Sequence, residues 1–357
     1  MNSRNIMPLL VITAASCTPG SSGGSPGTAA SAAITPTSRT TNVIVRGNVE
    51  RLLTALAHDS MEGRRAGTAG SARAARMLAH EMRRMGLEPG AGNDFLQTVP
   101  MVRTSRADGM GLRLLMNEAA LDSVPQEQLV LDANVIGLIR GSDPDLRDEA
   151  VIVGAHYDHV GIGEPVNGDS IYNGADDDAS GTIAVLEIAR AMKAGPSPAR
   201  TVVFAAFTAE ESGLLGTHYY IAHPAVPMER TVADLQIEMI GRPDPAAGGA
   251  GKGWLTGYER STMGDMLREH EIPLIPDPRP EQNFFMRSDN VAFARIGIPA
   301  HTLSSYNMHG DYHRPSDDVS AIDFDHMTAV IRAAAQAVRV LADGEAPRWH
   351  PGGRPGH

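Results

Sequence analysis

The chain of 357 residues contains one cysteine, Cys17. That excludes a disulfide scaffold and any cysteine-rich zinc or iron–sulfur centre. Aromatic residues amount to 4%, too few for the stacking platforms that hold single-stranded nucleic acid. Basic charge is also short: 31 Lys and Arg against 42 Asp and Glu leave a net charge of −11, so neither nucleic acid nor an anionic lipid surface is expected as the main partner. There is no internal repeat. No strand–helix turn carries a phosphate-binding loop or a dinucleotide fingerprint. The helical metalloprotease motif begins at His80-Glu81 but has Arg84 where its second histidine belongs, so it is incomplete. Hydrophobic residues at 42% and charged residues at 20% suit a packed core and an acidic surface.

The first residues read as an export signal. Arg4 precedes an apolar run from Ile6 to Ala15, interrupted by Pro8, which is shorter than the ~20 residues needed to span a bilayer. Small residues Ala14, Ala15 and Ser16 precede Cys17, which resembles a bacterial lipoprotein cleavage site, although Ala14 stands where such signals carry Leu. The expectation is a signal peptide over 1–16, lipidation at Cys17, and a flexible Gly/Ser/Thr-rich tether over 17–40. Gly20-Ser21-Ser22-Gly23-Gly24 matches the G-x-S-x-G pattern, but no strand precedes it and no helix follows, so it is rejected as a nucleophile elbow.

From Val49 the pattern is helical, with Leu52, Leu53 and Leu56 on the same face, and a second helix from about Ser71 ends near Gly86. Residues 150–155 and 201–207 are continuous apolar runs, the mark of strands covered on both faces. Val232–Ile240 and Ile296–Leu303 read as further strands. Helices are expected around Val185–Met192, after Ser261, and over Met327–Val338. The alternation predicts an α/β protein of three layers, α/β/α, with a central, mostly parallel mixed sheet. No linker breaks residues 41–343, so they form one catalytic domain, and the Pro/Gly-rich stretch 344–357 is expected to be a disordered tail.

Acids and histidines gather where these strands end, the place where open α/β sheets bind ligands. His156, Tyr157, Asp158 and His159 follow the first buried strand, and Asp176-Asp177-Asp178 stands at a helix entrance. Glu210-Glu211 follows the second, Glu238 lies on the third, and Tyr306 to His313 follows the fourth. Like charges brought together at low dielectric repel unless cations neutralise them, so the ordered set points to bound metal.

These segments carry a family resemblance. Gly154-Ala155-His156-Tyr157-Asp158-His159-Val160-Gly161, Asn173-Gly174-Ala175-Asp176-Asp177-Asp178-Ala179-Ser180-Gly181 and Ala209-Glu210-Glu211-Ser212-Gly213-Leu214-Leu215-Gly216 resemble the co-catalytic dizinc aminopeptidases, metallopeptidase family 28, which includes bacterial leucyl aminopeptidases and glutamate carboxypeptidase. Glu238-Met239-Ile240-Gly241-Arg242, Tyr312-His313-Arg314-Pro315-Ser316-Asp317 and Glu62-Gly63-Arg64-Arg65 continue the likeness, which spans about residues 47–342. The chain has too few residues between 100 and 133 for the family's protease-associated insert, so it resembles the compact members.

The resemblance implies two Zn²⁺ ions per chain bridged by Asp177. Glu211 and His313 would complete one site and His156 and Glu238 the other. Glu210 would be the general base, and Asp158 would fix the His156 tautomer from behind. At Glu238 the better-known members carry Asp. Tyr306 and Tyr312 are both candidates to assist a developing oxyanion. The implied activity is hydrolysis of N-terminal peptide bonds by an exported, lipid-anchored enzyme acting on peptides or small amino-acyl compounds. The alternatives are a single-zinc acyl transfer of the glutaminyl cyclase kind and a non-catalytic binding module, as transferrin receptor resembles this fold without its activity. The retained His156, Glu210 and five ligand positions favour the peptidase.

Overall fold

Strands β5 (Ala150–His156) and β8 (Thr201–Phe207) are buried at every residue and pair in parallel from Ala150↔Thr201 to His156↔Phe207. They are the centre of a computed structural model that describes residues 41–106 and 109–356; the expected leader, tether and Cys17 lie outside the described residues. β9 (Thr231–Ile237) pairs in parallel on the other side of β5, and β12 (Ala300–Ser304) pairs in parallel with β9. Outward the sheet turns antiparallel: β4 (Leu129–Ile139) on β8, then β2 (Leu96–Arg106) and β3 (Gly109–Leu114). β10 (Gly253–Leu255) lies antiparallel to β12 and parallel to β11 (Leu274–Pro276). With β1 (Glu88–Pro89) paired to β4, ten strands form this sheet among the described residues, and β6 (Gly161–Val166) and β7 (Asp169–Tyr172) make a separate hairpin.

Alternate residues of the central strands face opposite layers, as the two-residue period of a strand requires. Val151, Val153, Val202 and Phe204 pack with α1 (Arg46–Leu56), α2 (Ala69–Arg84), α3 (Gly181–Ala194) and α7 (Phe324–Asp343). Ile152, Val203 and Ala205 pack with α4 (Leu215–Ala222) and α6 (Asn290–Ile296) on the other face. This is the expected three-layer α/β/α architecture around a mixed sheet. Each fully buried Val, Ile or Phe contributes ~1.5–3 kcal/mol, enough to hold the left-handed residues at the strand ends, which cost ~1–3 kcal/mol each.

Three sequence expectations are corrected. Val232–Ile240 is not strand throughout: β9 stops at Ile237, and Met239 takes φ +52°, which breaks the alternation. Glu238 therefore stands in the loop beyond the strand. Ile296–Leu303 divides at Gly297, whose φ of +107° ends α6, and β12 begins only at Ala300; a short apolar run cannot distinguish a buried helix end from a strand. The C-terminal stretch is seated rather than frayed over its described part. Trp349 bridges to Ser261, its Nε1 donates to the Gly297 carbonyl at 2.9 Å, and its ring lies against His301. One large indole outweighs a Pro/Gly-rich composition. Ser261 also caps α5 (Thr262–Glu269), its hydroxyl accepting from the Met263 N–H at 3.2 Å. Among the described residues no helix is long and apolar enough to cross a membrane.

Candidate metal centre

The chain leaves β5 toward β8 on one side, while β9 lies on the other, so the crevice beyond their carboxyl ends is a topological switch point. His156 closes β5, and its carbonyl accepts from the Thr182 hydroxyl at 2.7 Å, which ties it to the first turn of α3. Its Nδ1 faces the Asp158 main-chain carbonyl at 3.2 Å and the Asp158 carboxylate at 3.7 Å. Both are acceptors, so Nδ1 carries the proton and Nε2 keeps a lone pair. The Asp158 carboxylate accepts from the Glu210 N–H at 3.0 Å, so this residue holds the imidazole through its main-chain carbonyl and the loop after β8 through its side chain.

Asp177 sits in an irregular turn over Ala175–Ser180, entered through Gly174 at φ +56°, and its peptide bond to Asp178 is cis. A Cβ on Gly174 would strike the Asp177 carbonyl and the His159 ring. Asp317 accepts from the N–H groups of Asp176 and Asp177, both at 3.0 Å, and is itself 3.3 Å from the Arg242 guanidinium. Asp178 takes no direct part: its carboxylate accepts from the N–H groups of Gly181 and Met239, both at 3.0 Å, joining α3 to the Glu238 loop. Arg64 is fully buried and gathers three segments. It donates to the carbonyls of Tyr157 at 2.7 Å, Leu56 at 3.1 Å, Asn173 at 2.6 Å and Gly174 at 2.9 Å. Burial lowers its pKa to about 10, so it stays charged beside Asp317, Asp158, Asp177 and Asp178. Non-glycine residues with positive φ crowd the same place: Ala209 before Glu210, Met239 after Glu238, and His313 itself.

Two groups of donors result, and they share Asp177. Its Oδ1 is 3.4 Å from His156 Nε2, and Glu238 completes that group. Its Oδ2 is 3.2 Å from His313 Nε2 and 3.7 Å from His159 Nδ1, both of which also lie near Glu211 Oε1, at 3.0 and 3.1 Å. Despite this proximity, Asp177 Oδ2, Glu211 Oε1, Glu238 Oε2, His313 Nε2 and both nitrogens of His159 are buried without a hydrogen-bond partner. Buried polar atoms normally have partners. Nitrogen and carboxylate oxygen donors that converge without bonding one another fit zinc, which takes this donor set.

Burial pushes the Asp177 carboxyl up, but the facing imidazoles of His156, His313 and His159 outweigh it and hold the group well below its ordinary value. Burial opposes charge on His313, yet Asp177 and Glu211 raise it to about 10. Burial carries Glu238 to about 7 and lifts Glu210 well above the usual carboxylate range, with His156 pulling each back.

All seven residues singled out in the sequence meet here: His156, Asp158, Asp177, Glu210, Glu211, Glu238 and His313. Glu210 stands outside both donor groups, while Glu211 lies within one. Tyr306 and Tyr312 line one pocket together with Glu238, Trp254 and Phe284. Tyr312 stacks on His313 at 3.9 Å between ring centroids. The sequence puts His159 at this strand end without marking it as a ligand, and it marks Arg64 and Asp317 only through their place in the family motifs. The only available signal was proximity: His159 is three residues from His156, and Asp317 four from His313. Glu81 of the incomplete helical motif is engaged elsewhere, 3.2 Å from Arg84.

Fold and donor set define a metallopeptidase framework, and comparison with known proteins assigns the family. Residues 134–338 match the model of peptidase family M28, and the chain belongs to that family. A probable leucine aminopeptidase 2 of Aspergillus fumigatus is 28% identical over 319 residues, covering 81% of this chain and 57% of the relative; the chain thus spans little over half of that protein. Among solved structures, a zinc aminopeptidase from Bacillus subtilis superposes with a TM-score of 0.60 at 17% identity, over 84% of this chain and 96% of its own. A glutaminyl cyclase from Porphyromonas gingivalis does so with a TM-score of 0.57 at 16% identity, over 83% and 98%. At such identity these likenesses speak for the fold.

Proposed function

We propose that this chain is a zinc-dependent aminopeptidase that holds two zinc ions. The observation that carries the reading is the division of Asp177: its two carboxylate oxygens face two different donor groups, with Glu210 in neither and within electrostatic reach of His156, Glu238 and Glu211. His156, Asp177 and Glu238 would hold one ion, and Asp177, Glu211 and His313 the other. When bound, the ions supply Lewis acidity, polarising a scissile carbonyl and making water acidic enough to lose a proton near neutral pH.

The chain's own groups supply the rest. The Glu210 carboxylate takes the proton from water and delivers it to the departing amine, and the Asp158 hydrogen bond to its N–H keeps its loop in place. Burial and the Asp177, Glu211, Glu238 and Glu210 carboxylates push the Tyr312 phenol far up, so it stays protonated and acts as a hydrogen-bond donor to the developing oxyanion. The cavity beside it, walled by Trp254 and Phe284, receives the side chain of the N-terminal residue. Export and lipid anchoring at Cys17 complete the proposal and rest on the sequence pattern of residues 1–17.

The metal-loaded chain, assayed on amino-acid anilides and dipeptides with its zinc counted, should bind two ions and release N-terminal residues. One zinc and cyclisation of N-terminal glutaminyl peptides would instead establish the cyclase chemistry, which the second donor group at Asp177 disfavours. Mass spectrometry of the membrane fraction should find a diacylglyceryl group at Cys17; an unmodified Cys17 would remove the anchor from the proposal.

A further inference from the structure

We infer that His159 is a fourth protein donor to the Glu211–His313 zinc position, so the two positions are unequal: one closed by the chain, the other left open. His159 is fully buried, its ring is set against Gly174, and it meets His313 edge to face at 5.4 Å between centroids. Neither of its nitrogens has a hydrogen-bond partner. A buried imidazole in that state is costly unless something else engages its lone pair.

The distances show what engages it. Zinc bonds to nitrogen and oxygen of ~2.0–2.2 Å, arranged tetrahedrally, set the donors ~3.3–3.6 Å apart, since a tetrahedron's edge is about 1.63 times its radius. Four edges of the group are 3.0 Å for His313–Glu211, 3.1 Å for His159–Glu211, 3.2 Å for His313–Asp177 and 3.7 Å for His159–Asp177. His159 meets both carboxylates at separations close to those of His313, on the same two oxygens. Among the described residues, the other group offers His156, Asp177 and Glu238 alone. Four protein donors are the mark of a closed, tightly held zinc, and three with a vacancy the mark of a reacting one. Substrate and water therefore engage the His156–Glu238 side, and the Glu211–His313 side acts chiefly to hold Asp177 and its charge.

The inference rests on the reading of this cluster as a two-zinc site. The full chain is stripped with a chelator and titrated with zinc against a chromophoric competitor, as the unmutated protein and as His159→Gln, with circular dichroism reporting the fold. Two classes of site are expected in the unmutated protein. His159→Gln should weaken the tighter class by more than the ~10–100-fold that loss of a merely supporting hydrogen bond costs a metal site, and leave the weaker class unchanged. In parallel, His159→Cys is loaded with cobalt(II). A thiolate-to-cobalt charge-transfer band, absent from the unmutated protein, is expected only if position 159 lies within bonding distance of the ion. Two zincs bound with unaltered affinity in His159→Gln, no such band in His159→Cys, or loss of the fold in both variants overturns the inference alone. Failure of the unmutated chain to bind zinc overturns it together with the reading on which it rests.

Discussion

Two regions of the molecule bury histidines, and they treat them in opposite ways. Near β10 and β12 every histidine nitrogen is used by the chain. His301 donates through Nδ1 to the Thr256 carbonyl at 2.7 Å, and its Nε2 meets the Ser261 hydroxyl at 2.6 Å. His326 accepts from the Gly251 N–H at 2.8 Å and meets the Ser305 hydroxyl at 2.9 Å. Burial keeps both neutral, His301 down to about 4. Beyond β5 the same burial acts on His156, but Glu210, Asp158 and Asp177 raise it well above its ordinary value, and His159 and His313 point at carboxylates without bonding them. Burial alone therefore does not separate a structural histidine from a ligand. Completed hydrogen bonding does.

If that distinction is right, the two regions should answer mutation differently: the metal cluster through activity and metal content, the satisfied region through stability. The largest effect is expected at Glu210. Glu210→Gln should lower the hydrolysis rate by ~10²–10⁴-fold with two zincs and the melting temperature retained. A variant that sheds a metal would reverse the roles of Glu210 and Glu211. Arg64 stands between the regimes, because it is fully bonded yet frames the cluster. Arg64→Leu leaves four carbonyls without their donor and removes a buried countercharge, a loss of about 3–5 kcal/mol that chemical denaturation should register along with lost zinc; unchanged stability would deny it the framing role.

His301 provides the opposite arm. Its pKa is lower in the folded protein than the 6.5 of the unfolded chain, so the unfolded state binds the proton first. Its contribution to stability is whole above pH 6.5 and is lost as pH falls through about 4, in all about 3 kcal/mol. His301→Gln should flatten the dependence of the urea midpoint on pH over that window and leave zinc affinity alone; an unchanged slope would show that His301 does not carry it. The smallest effect belongs to Glu238. Glu238→Gln keeps an oxygen donor and loses only the charge, and it should weaken zinc selectively at the His156 position while the Glu211–His313 ion persists. Identical titrations would take Glu238 out of the ligand set.

The sequence displayed the parts of this site that depend on strand order and lacked those that depend on angle. The apolar runs ending at Ala155 and Phe207 located the sheet edge, because a strand buried on both faces has no other pattern, and the residues after them had to lie beyond its carboxyl end. Glu238 was found for its position in a motif but was placed on a strand, since nothing in Gln236-Ile237-Glu238-Met239 announces the left-handed turn at Met239. His159 was visible as a neighbour of His156, but whether an imidazole beside a ligand turns inward depends on ring orientation, which spacing does not encode. Trp349 was lost for a related reason: composition averaged over a Pro/Gly-rich tail hides the one side chain that anchors it.

Arg64 also bears on what the smallest working unit of this protein is. The stretch that matches the family model, 134–338, contains every residue of both donor groups, and a chain cut to those limits would look complete on paper. Yet the carbonyls of Tyr157, Asn173 and Gly174 are drawn together by a guanidinium from well before that stretch, itself braced on the carbonyl of Leu56 at the end of α1. The segment that names the family and the segment that turns its residues into a site are different lengths of chain. A boundary drawn by recognisable motifs would keep the ligands and discard the frame.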